Sequence, residues 1–361
     1  MSGILTLGNR LYRGEVSYNI VGKSRTWYTV SAVFLTVAIL TLIFRGLNLG
    51  IEFKGGAEFT VPVKNATTQS ISDARSAVKS TGVTPANVTI VGGDKIRIQT
   101  ATVTTGVSNK IGSSLAGAFS VNDSDIKVQL VGPSWGSEVS KNAARALLVF
   151  LVLVALFLAT YFEWSMAVAA LVALAHDVLI TVGIYALSGF EVTPAAVIGF
   201  LTILGYSLYD TVVVFDKVKE NTKGIAGGSR LTFSEAANLA LNQTLVRSIN
   251  TSVVALLPVL SILVVGVVLL GAGTLNDLAL ALFVGMLVGA YSSIFIATPF
   301  LSFLKERTPE MQSLRKRVNS RRKGSGVQEL DSASLVVQPL AQPVVQAGPR
   351  QQRVKKPRSN R

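Results

Sequence analysis

The residue of this chain most able to do chemistry is a carboxylate in the middle of an apolar run. Asp210 lies in the segment Gly199–Phe215, between Tyr209 and Thr211, with leucines, isoleucines and valines on both sides. At mid-bilayer such a group costs ~2.5–3.5 kcal/mol on insertion scales, so it needs a partner, a proton or a water path. At helical spacing Gly199, Ile203, Tyr206, Ser207 and Val214 share its face, which sets two hydroxyls one turn away. An apolar setting favours the neutral form of a carboxyl group, and a group balanced between its two forms is what a proton carrier requires. The structural alternative is a neutral acid, hydrogen-bonded to a neighbour, that holds a helix bundle together.

Two further polar sites interrupt apolar sequence. His176-Asp177 lies about mid-way along another hydrophobic stretch, and His176 is the single histidine. Adjacent residues on a helix point about 100° apart, so the two cannot face one partner together, and the pair alone is a poor metal site. Asp177 is expected to pair with a hydroxyl such as Thr181 or to join the Asp210 site, and a plain bundle contact competes with either. Arg247 precedes a third stretch, with Asn250 and Thr251 on its face. An arginine at a cytoplasmic helix end is ordinary positive-inside bias. Its other use is to approach Asp210 and withdraw, because a nearby cation favours the ionised acid and its removal favours the proton.

These residues need a membrane scaffold, and the composition supplies one. Half of the 361 residues are hydrophobic and 15% are charged, against about 25% in a soluble domain. Six apolar stretches stand out: Tyr28–Leu47, Ala144–Tyr161, Met166–Leu187, Thr193–Phe215, Ser248–Leu270 and Leu278–Leu304. Each reaches or approaches the ~20 residues that cross a ~30 Å core. The second is the shortest and would lean on Lys141 and Arg145 snorkelling at one end. The first follows 27 mostly polar residues and lacks a small-x-small cleavage site, so a retained helix is expected rather than a signal peptide.

Basic residues give the orientation. The short loops Ser188–Val192 and Gly271–Asp277 have no Lys or Arg, whereas the N-terminal arm, the loop Asp216–Arg247 and everything from Lys305 onward are basic. Both termini are then cytoplasmic, and residues 48–142 lie outside. The predicted organisation is an arm at 1–27, helix 1 at 28–47, an outer domain at 48–142, helices 2–6 at 143–304 and a basic, disordered tail at 305–361. The net charge of +14 sits mostly in that tail. It fits attraction to anionic membrane lipids; the tail lacks aromatic residues to stack on bases, so no specific nucleic acid is expected. Gly324–Gly348 reads as a linker between two basic clusters.

Several chemistries are disfavoured. There are no cysteines, which removes disulfides and thiolate sites. No Ser-His-Asp set or metal cluster is apparent, and Gly224–Gly228 lacks the lysine-hydroxyl ending of a phosphate loop. Neither enzyme activity nor a cofactor is expected, and energy would come from an ion gradient or a partner.

In the outer segment Glu58–Val63 alternates like a strand and Ser70–Ser80 suits a helix. Val88–Val91 and Lys95–Gln99 form a hairpin across Gly92-Gly93-Asp94, followed by a second helix over Val107–Phe119 and a strand over Ile126–Val131. That order predicts a ferredoxin-like α+β sandwich. Gly55-Gly56 joins it to the first span and permits either a rigid elbow or a hinge. Gly132-Pro133-Ser134-Trp135-Gly136 marks the return to the membrane. Ala281, Gly285, Gly289, Ser293 and Ala297 make an i+4 ladder of small residues for close helix packing, and Pro258 should bend the fifth span.

Taken together, Gly50–Gly56, Val131-Gly132-Pro133, His176-Asp177, Gly205–Asn221 and Asn242–Ser252 resemble the SecF family of the bacterial Sec protein-export machinery, within the SecDF and resistance-nodulation-division superfamily. The run from Tyr206 through Asp210 to Asn221 is highly specific; a double glycine alone is weak. The resemblance implies a polytopic six-helix protein of the bacterial cell membrane. With SecD and the SecYEG channel it would use the proton motive force to promote export of unfolded polypeptides after SecA has begun their translocation. It implies that Asp210 and Arg247 match proton-relay positions, with Asp177 and His176 as further relay candidates. Tyr206, Ser207, Asn250 and Thr251 would form a supporting polar face, and Gly55 and Gly56 the hinge of the outer domain. Competing readings are a resistance-nodulation-type exporter of lipids or small molecules, whose outer domains are far larger, and a passive scaffold of the translocon. The basic tail from Arg315 lies outside the resemblance.

Overall fold

The structure, a computed structural model, describes residues 10–11, 13, 16–269 and 273–324. The expected linker and second basic cluster beyond residue 324 lie outside the described residues. Among the described residues, six helices are long and apolar enough to cross a membrane. They are α1 (Ser24–Phe44), α5 (Pro133–Tyr161), α6 (Trp164–Ser188), α7 (Pro194–Thr222), α8 (Phe233–Ser261, continued as a π-helix over Ile262–Leu269) and α9 (Gly273–Ser292). The last of these runs on through a π turn, Ser293–Ala297, into α10 (Thr298–Glu306), and α11 (Pro309–Gly324) follows.

Two helix starts differ from expectation, and for the first a helix-starting proline outranks hydropathy. The second span was expected to start at 143, but α5 begins at Pro133, after Gly132. Proline fits the first helical position, where its missing N–H costs nothing, so residues 133–142 extend the helix ahead of the apolar stretch. The loop expected at Gly271–Asp277 is already helical from Gly273. Pro258 lies within α8, which gives way to the π segment one turn later.

Between α1 and α5 lie β1 (Asn48–Leu49), the short helix α2 (Ile51–Lys54), β2 (Gly56–Pro62), α3 (Thr68–Lys79), β3 (Pro85–Val91), β4 (Lys95–Thr100), α4 (Thr105–Phe119) and β5 (Lys127–Val131). The last four strands form one antiparallel sheet in the order β3-β4-β2-β5. Ala57, Phe59 and Val61 alternate inward along β2 and meet Ile96 and Ile98 of β4. Ala74 and Val78 of α3 with Ile111 and Leu115 of α4 close this core from one face. A capping box at Thr67 and Ser70 starts α3, supplying partners for N–H groups that the first turn leaves open.

A second, two-stranded sheet ties this unit to the bundle. β1 pairs in parallel with β6 (Glu191–Val192), which lies in the turn between α6 and α7. Gly55 and Gly56 have φ of +78° and +152°. A side chain on Gly56 would lie 2.5 Å from the Thr100 carbonyl, and one on Gly55 would lie 3.0 Å from Pro133. The double glycine is therefore a tight elbow wedged between β4 and the start of α5.

The bundle closes through small residues. A Cβ on Gly199 would lie 2.7 Å from Ala281, one on Gly285 would lie 2.1 Å from Ile203, and one on Gly289 would lie 3.0 Å from Ser207. Numbers rise together on both helices, so α7 and α9 run parallel, with the ladder of α9 laid against the face of α7 that carries Asp210. Close approach of this kind is how helices gain dispersion contacts where lipid gives no hydrophobic drive.

The basic segment from Lys305 also differs from expectation. Residues 305–324 are largely helical, and Met311, Leu314 and Val318 of α11 are buried against Val214, Phe215, Val218 and Phe233. Arg322 donates to both carboxylate oxygens of Glu235 at 2.8 and 2.9 Å. The charge count hid an apolar stripe at helical spacing. The N-terminal arm is likewise held: Asn238 and Asn242 of α8 accept hydrogen bonds from the backbone of Tyr18, Ile20 and Val21 at 2.7–3.0 Å.

Candidate ion-coupling site in the helix bundle

Asp210 is 3% exposed and sits where three elements meet. Its Oδ1 accepts from Ser248 Oγ of α8 at 2.8 Å, and its Oδ2 accepts from Ser293 Oγ in the π turn at 2.6 Å. Two hydroxyl donors hold the carboxyl group without neutralising it. A serine hydroxyl can also accept a hydrogen bond, so either neighbour can turn to receive one from a protonated carboxyl group. Tyr206 bonds to Ser252 Oγ at 3.1 Å, one turn further along the same α7–α8 interface.

Asp177 of α6 forms a second centre, 1% exposed. Its Oδ2 accepts from Ser207 Oγ at 2.5 Å, and its Oδ1 lies 3.1 Å from His176 Nδ1. Ser207 precedes Asp210 by one turn of α7, so both acids attach to one stripe of that helix. The expected partner Thr181 does not serve: its buried hydroxyl has no hydrogen-bond partner. Thr181 and Asp177 instead line, with Phe200, Ile203 and Leu204, a cavity of about 10 Å³ whose accessible walls are apolar.

Arg247 is not beside Asp210. Its side chain is exposed and Nη2 donates to the Tyr209 hydroxyl at 3.3 Å. Asn250 is exposed and Thr251 half-buried, and the two oxygens of Asp210 are taken by serines. The expected polar face thus splits: Ser207 serves Asp177, Tyr206 serves Ser252, and Ser248 does what was assigned to its neighbours. Sequence reasoning missed Ser248 and Ser293. The signal for Ser293 was present, since it is the one hydroxyl in the lower half of the small-residue ladder. Among the described residues no group of three His, Asp or Glu side chains converges as a metal site would require.

Arg97 and Gln99 of β4 bridge the sheet to the bundle. Arg97 Nη1 donates to Glu191 Oε2 at 3.1 Å, and Gln99 Nε2 donates to Glu191 Oε1 at 2.6 Å and to Glu58 Oε2 at 3.0 Å. Glu52 joins this junction with one oxygen buried and unpartnered. Gly50 leaves space for both acids: a Cβ there would lie 2.5 Å from Glu52 Oε2 and 3.0 Å from Glu191 Oε1. Burial pushes the Glu52 carboxyl above its ordinary value, aided by the charges of Glu191 and Glu58 and opposed by its own backbone N–H and by Arg97. The protonated form is favoured in the folded state, so the stability it lends is present at acid pH and lost as pH rises through the raised value. Glu52→Gln should therefore raise the melting temperature at neutral pH by a few degrees and leave it unchanged near pH 4. A thermal scan of the purified protein at both pH values checks this, and an equal gain at both would exclude a titration origin.

Comparison with known proteins agrees with this geometry. Residues 110–307 match the family described as protein export membrane protein SecD/SecF, C-terminal, and residues 41–67 match the SecD/SecF GG motif. The protein translocase subunit SecF of Streptomyces coelicolor is 52% identical over 322 residues, covering 89% of this chain and 86% of that one. This chain belongs to the SecF family. The SecF of Mycobacterium leprae is 45% identical, over 94% of this chain and 75% of that protein. The crystal structure of SecDF, a translocon-associated membrane protein from a Thermus species, superposes with a TM-score of 0.71 at 30% identity. The match covers 81% of this chain and 39% of the SecDF chain, so this SecF-family chain spans about two fifths of that longer protein. With six apolar helices and these relatives, it is a multi-pass membrane protein and an accessory subunit of the Sec translocase.

Proposed function

We propose that this SecF-family chain works beside SecD and uses the proton motive force to draw exported polypeptides outward through the SecYEG channel after SecA has started them. Both termini would face the cytoplasm, and the βαββαβ unit would be a ferredoxin-like domain outside the membrane. The antiparallel strand order β3-β4-β2-β5, with both helices on one face, supports that domain assignment. The SecDF relatives join both names in one chain of which this protein matches two fifths, which supports a partner that supplies the remainder.

The observation that carries the coupling role is Asp210 itself: an acid 3% exposed, bound by two neutral serines on two other elements. Arg247 is the residue after which Ser248 follows on α8, and neighbours on a helix point about 100° apart. Rotation of α8 by that angle would exchange the hydroxyl at Asp210 for the guanidinium, which favours the ionised acid and expels its proton. Rotation back would restore the serine and allow uptake. One charge moving through 100 mV yields ~2.3 kcal/mol, enough to bias a two-state element over repeated cycles.

The test is export of a secreted reporter into vesicles that hold the channel, SecD and this chain at saturating ATP. A proton gradient or a sodium gradient is imposed or collapsed. A gain with the proton gradient alone supports the reading; a gain with sodium alone replaces the ion, and no gain with either removes the coupling.

A further inference from the structure

A continuous string of hydrogen bonds runs from α7 to the start of α1 through the His176–Asp177 pair. Ser207 Oγ donates to Asp177 Oδ2 at 2.5 Å, and Asp177 Oδ1 faces His176 Nδ1 at 3.1 Å. His176 Nε2 lies 3.2 Å from Ser31 Oγ, Ser31 Oγ lies 3.1 Å from the Tyr291 hydroxyl, and that hydroxyl donates to the Trp27 carbonyl at 3.3 Å. His176 and Ser31 are 5% and 4% exposed, so water does not compete. The rings of His176 and Tyr291 stack, with centroids 6.1 Å apart and planes 25° apart, which holds the imidazole in this orientation.

The direction of the string follows from its far end. A carbonyl has no proton to give, so Tyr291 donates to Trp27. Tyr291 has one proton, so towards Ser31 it accepts and Ser31 donates. Ser31 also has one proton, so towards His176 it accepts, and Nε2 carries a proton. The remaining contact, Nδ1 to Asp177 Oδ1, is a hydrogen bond only if a proton lies between them, since otherwise two lone pairs face each other.

We infer that Ser31 and Tyr291 are positioning residues that fix the Nε2–H form of His176, so that His176 and Asp177 together store one proton between Nδ1 and Oδ1. Loaded, the pair is either an imidazolium beside a carboxylate or an imidazole beside a carboxylic acid, with the same net charge. Unloaded, it is anionic and its hydrogen bond is broken. The groups that face it are hydroxyls, Ser31 from α1, Ser207 from α7, and Tyr291 and Ser292 from α9, and among the described residues His176 is the ionisable group within ion-pair distance of Asp177. Delivery of the stored proton to the Asp210 stripe through Ser207 rests on the coupling proposed above; the fixed tautomer does not.

Because His176 is the single histidine, the full-length chain labelled with ¹⁵N-histidine in lipid nanodiscs gives one imidazole to read by NMR. Wild type should have a protonated Nε2 across the whole pH range, with the change on titration confined to Nδ1. Tyr291→Phe keeps the ring stack but removes the terminal hydroxyl, and should yield a mixture of tautomers; Ser31→Ala should do the same through the adjacent link. A bare Nε2 in wild type, or an unchanged tautomer in both variants, overturns the inference. Loss of gradient-driven export with a normal wild-type spectrum would instead remove the coupling and leave the tautomer lock standing.

Discussion

Asp210→Asn should abolish the whole gradient-dependent increment of export while the ATP-driven rate in the same vesicles stays at its wild-type value. The substitution is close to isosteric, and a carboxamide can still bond to Ser248 and Ser293, whose hydroxyls rotate to donate or accept. Packing of α7, α8 and the π turn is therefore retained, and what disappears is the ability to take up and release a proton. Reporter export with the gradient imposed and collapsed, together with the amount of assembled complex, decides the matter. An equal gradient effect in wild type and variant would make the chain a scaffold and send the proton chemistry to its partner. A fall in complex abundance without a change in the gradient ratio would identify Asp210 as a structural contact.

The second large effect is expected at Gly285. A Cβ there would lie 2.1 Å from Ile203 Cδ1 and 2.7 Å from both Cγ atoms. Rotation of the isoleucine tip cannot relieve contacts at its branch point, so Gly285→Val must push α9 away from α7. Overpacking of this kind typically costs ~1–3 kcal/mol and sometimes more. Here the displacement also draws Ser293 off Asp210, because both lie on the same parallel helix pair. The variant should lose most of its thermal stability margin and accumulate poorly. Adding Ile203→Ala should restore much of it, since the two residues share one contact and their effects should be strongly non-additive. Melting of the single and double variants measures this, and simple additivity would mean that the interface is not where the strain falls.

What could be read in advance follows from the range over which each signal acts. The strands and helices between α1 and α5 were legible because alternation and caps are local: Phe59 and Val61 point inward two residues apart, and Gly92-Gly93 turns the hairpin beside them. Asp210 and Asp177 were legible because a charge in an apolar run is costly wherever it finally sits. Their partners were not, because the serines that bind Asp210 stand 38 and 83 residues away, and Tyr291 meets Ser31 across 260. No periodicity couples such positions. Arg247 was expected at the acid because charge attracts charge, yet in this state it reaches Tyr209, and the neighbouring Ser248 occupies the place. On α11 the basic residues dominated the count, and only the spacing of Met311, Leu314 and Val318 pointed to a docked helix.

The side-chain bonds from β4 to Glu191 of β6 limit how the four-stranded unit can move. That unit is joined to the helix bundle at three places: through α2 to α1, through Gly132 to α5, and through Arg97 and Gln99 to Glu191 at the corner from which α7 departs. Because β1 precedes the elbow, a swing about Gly55-Gly56 leaves the β1–β6 ladder in place and must either break the Arg97 and Gln99 bonds to Glu191 or carry the α6–α7 corner with it. In the second case the sheet and the helix bearing Asp210 form one lever, and displacement at either end is work done at the other.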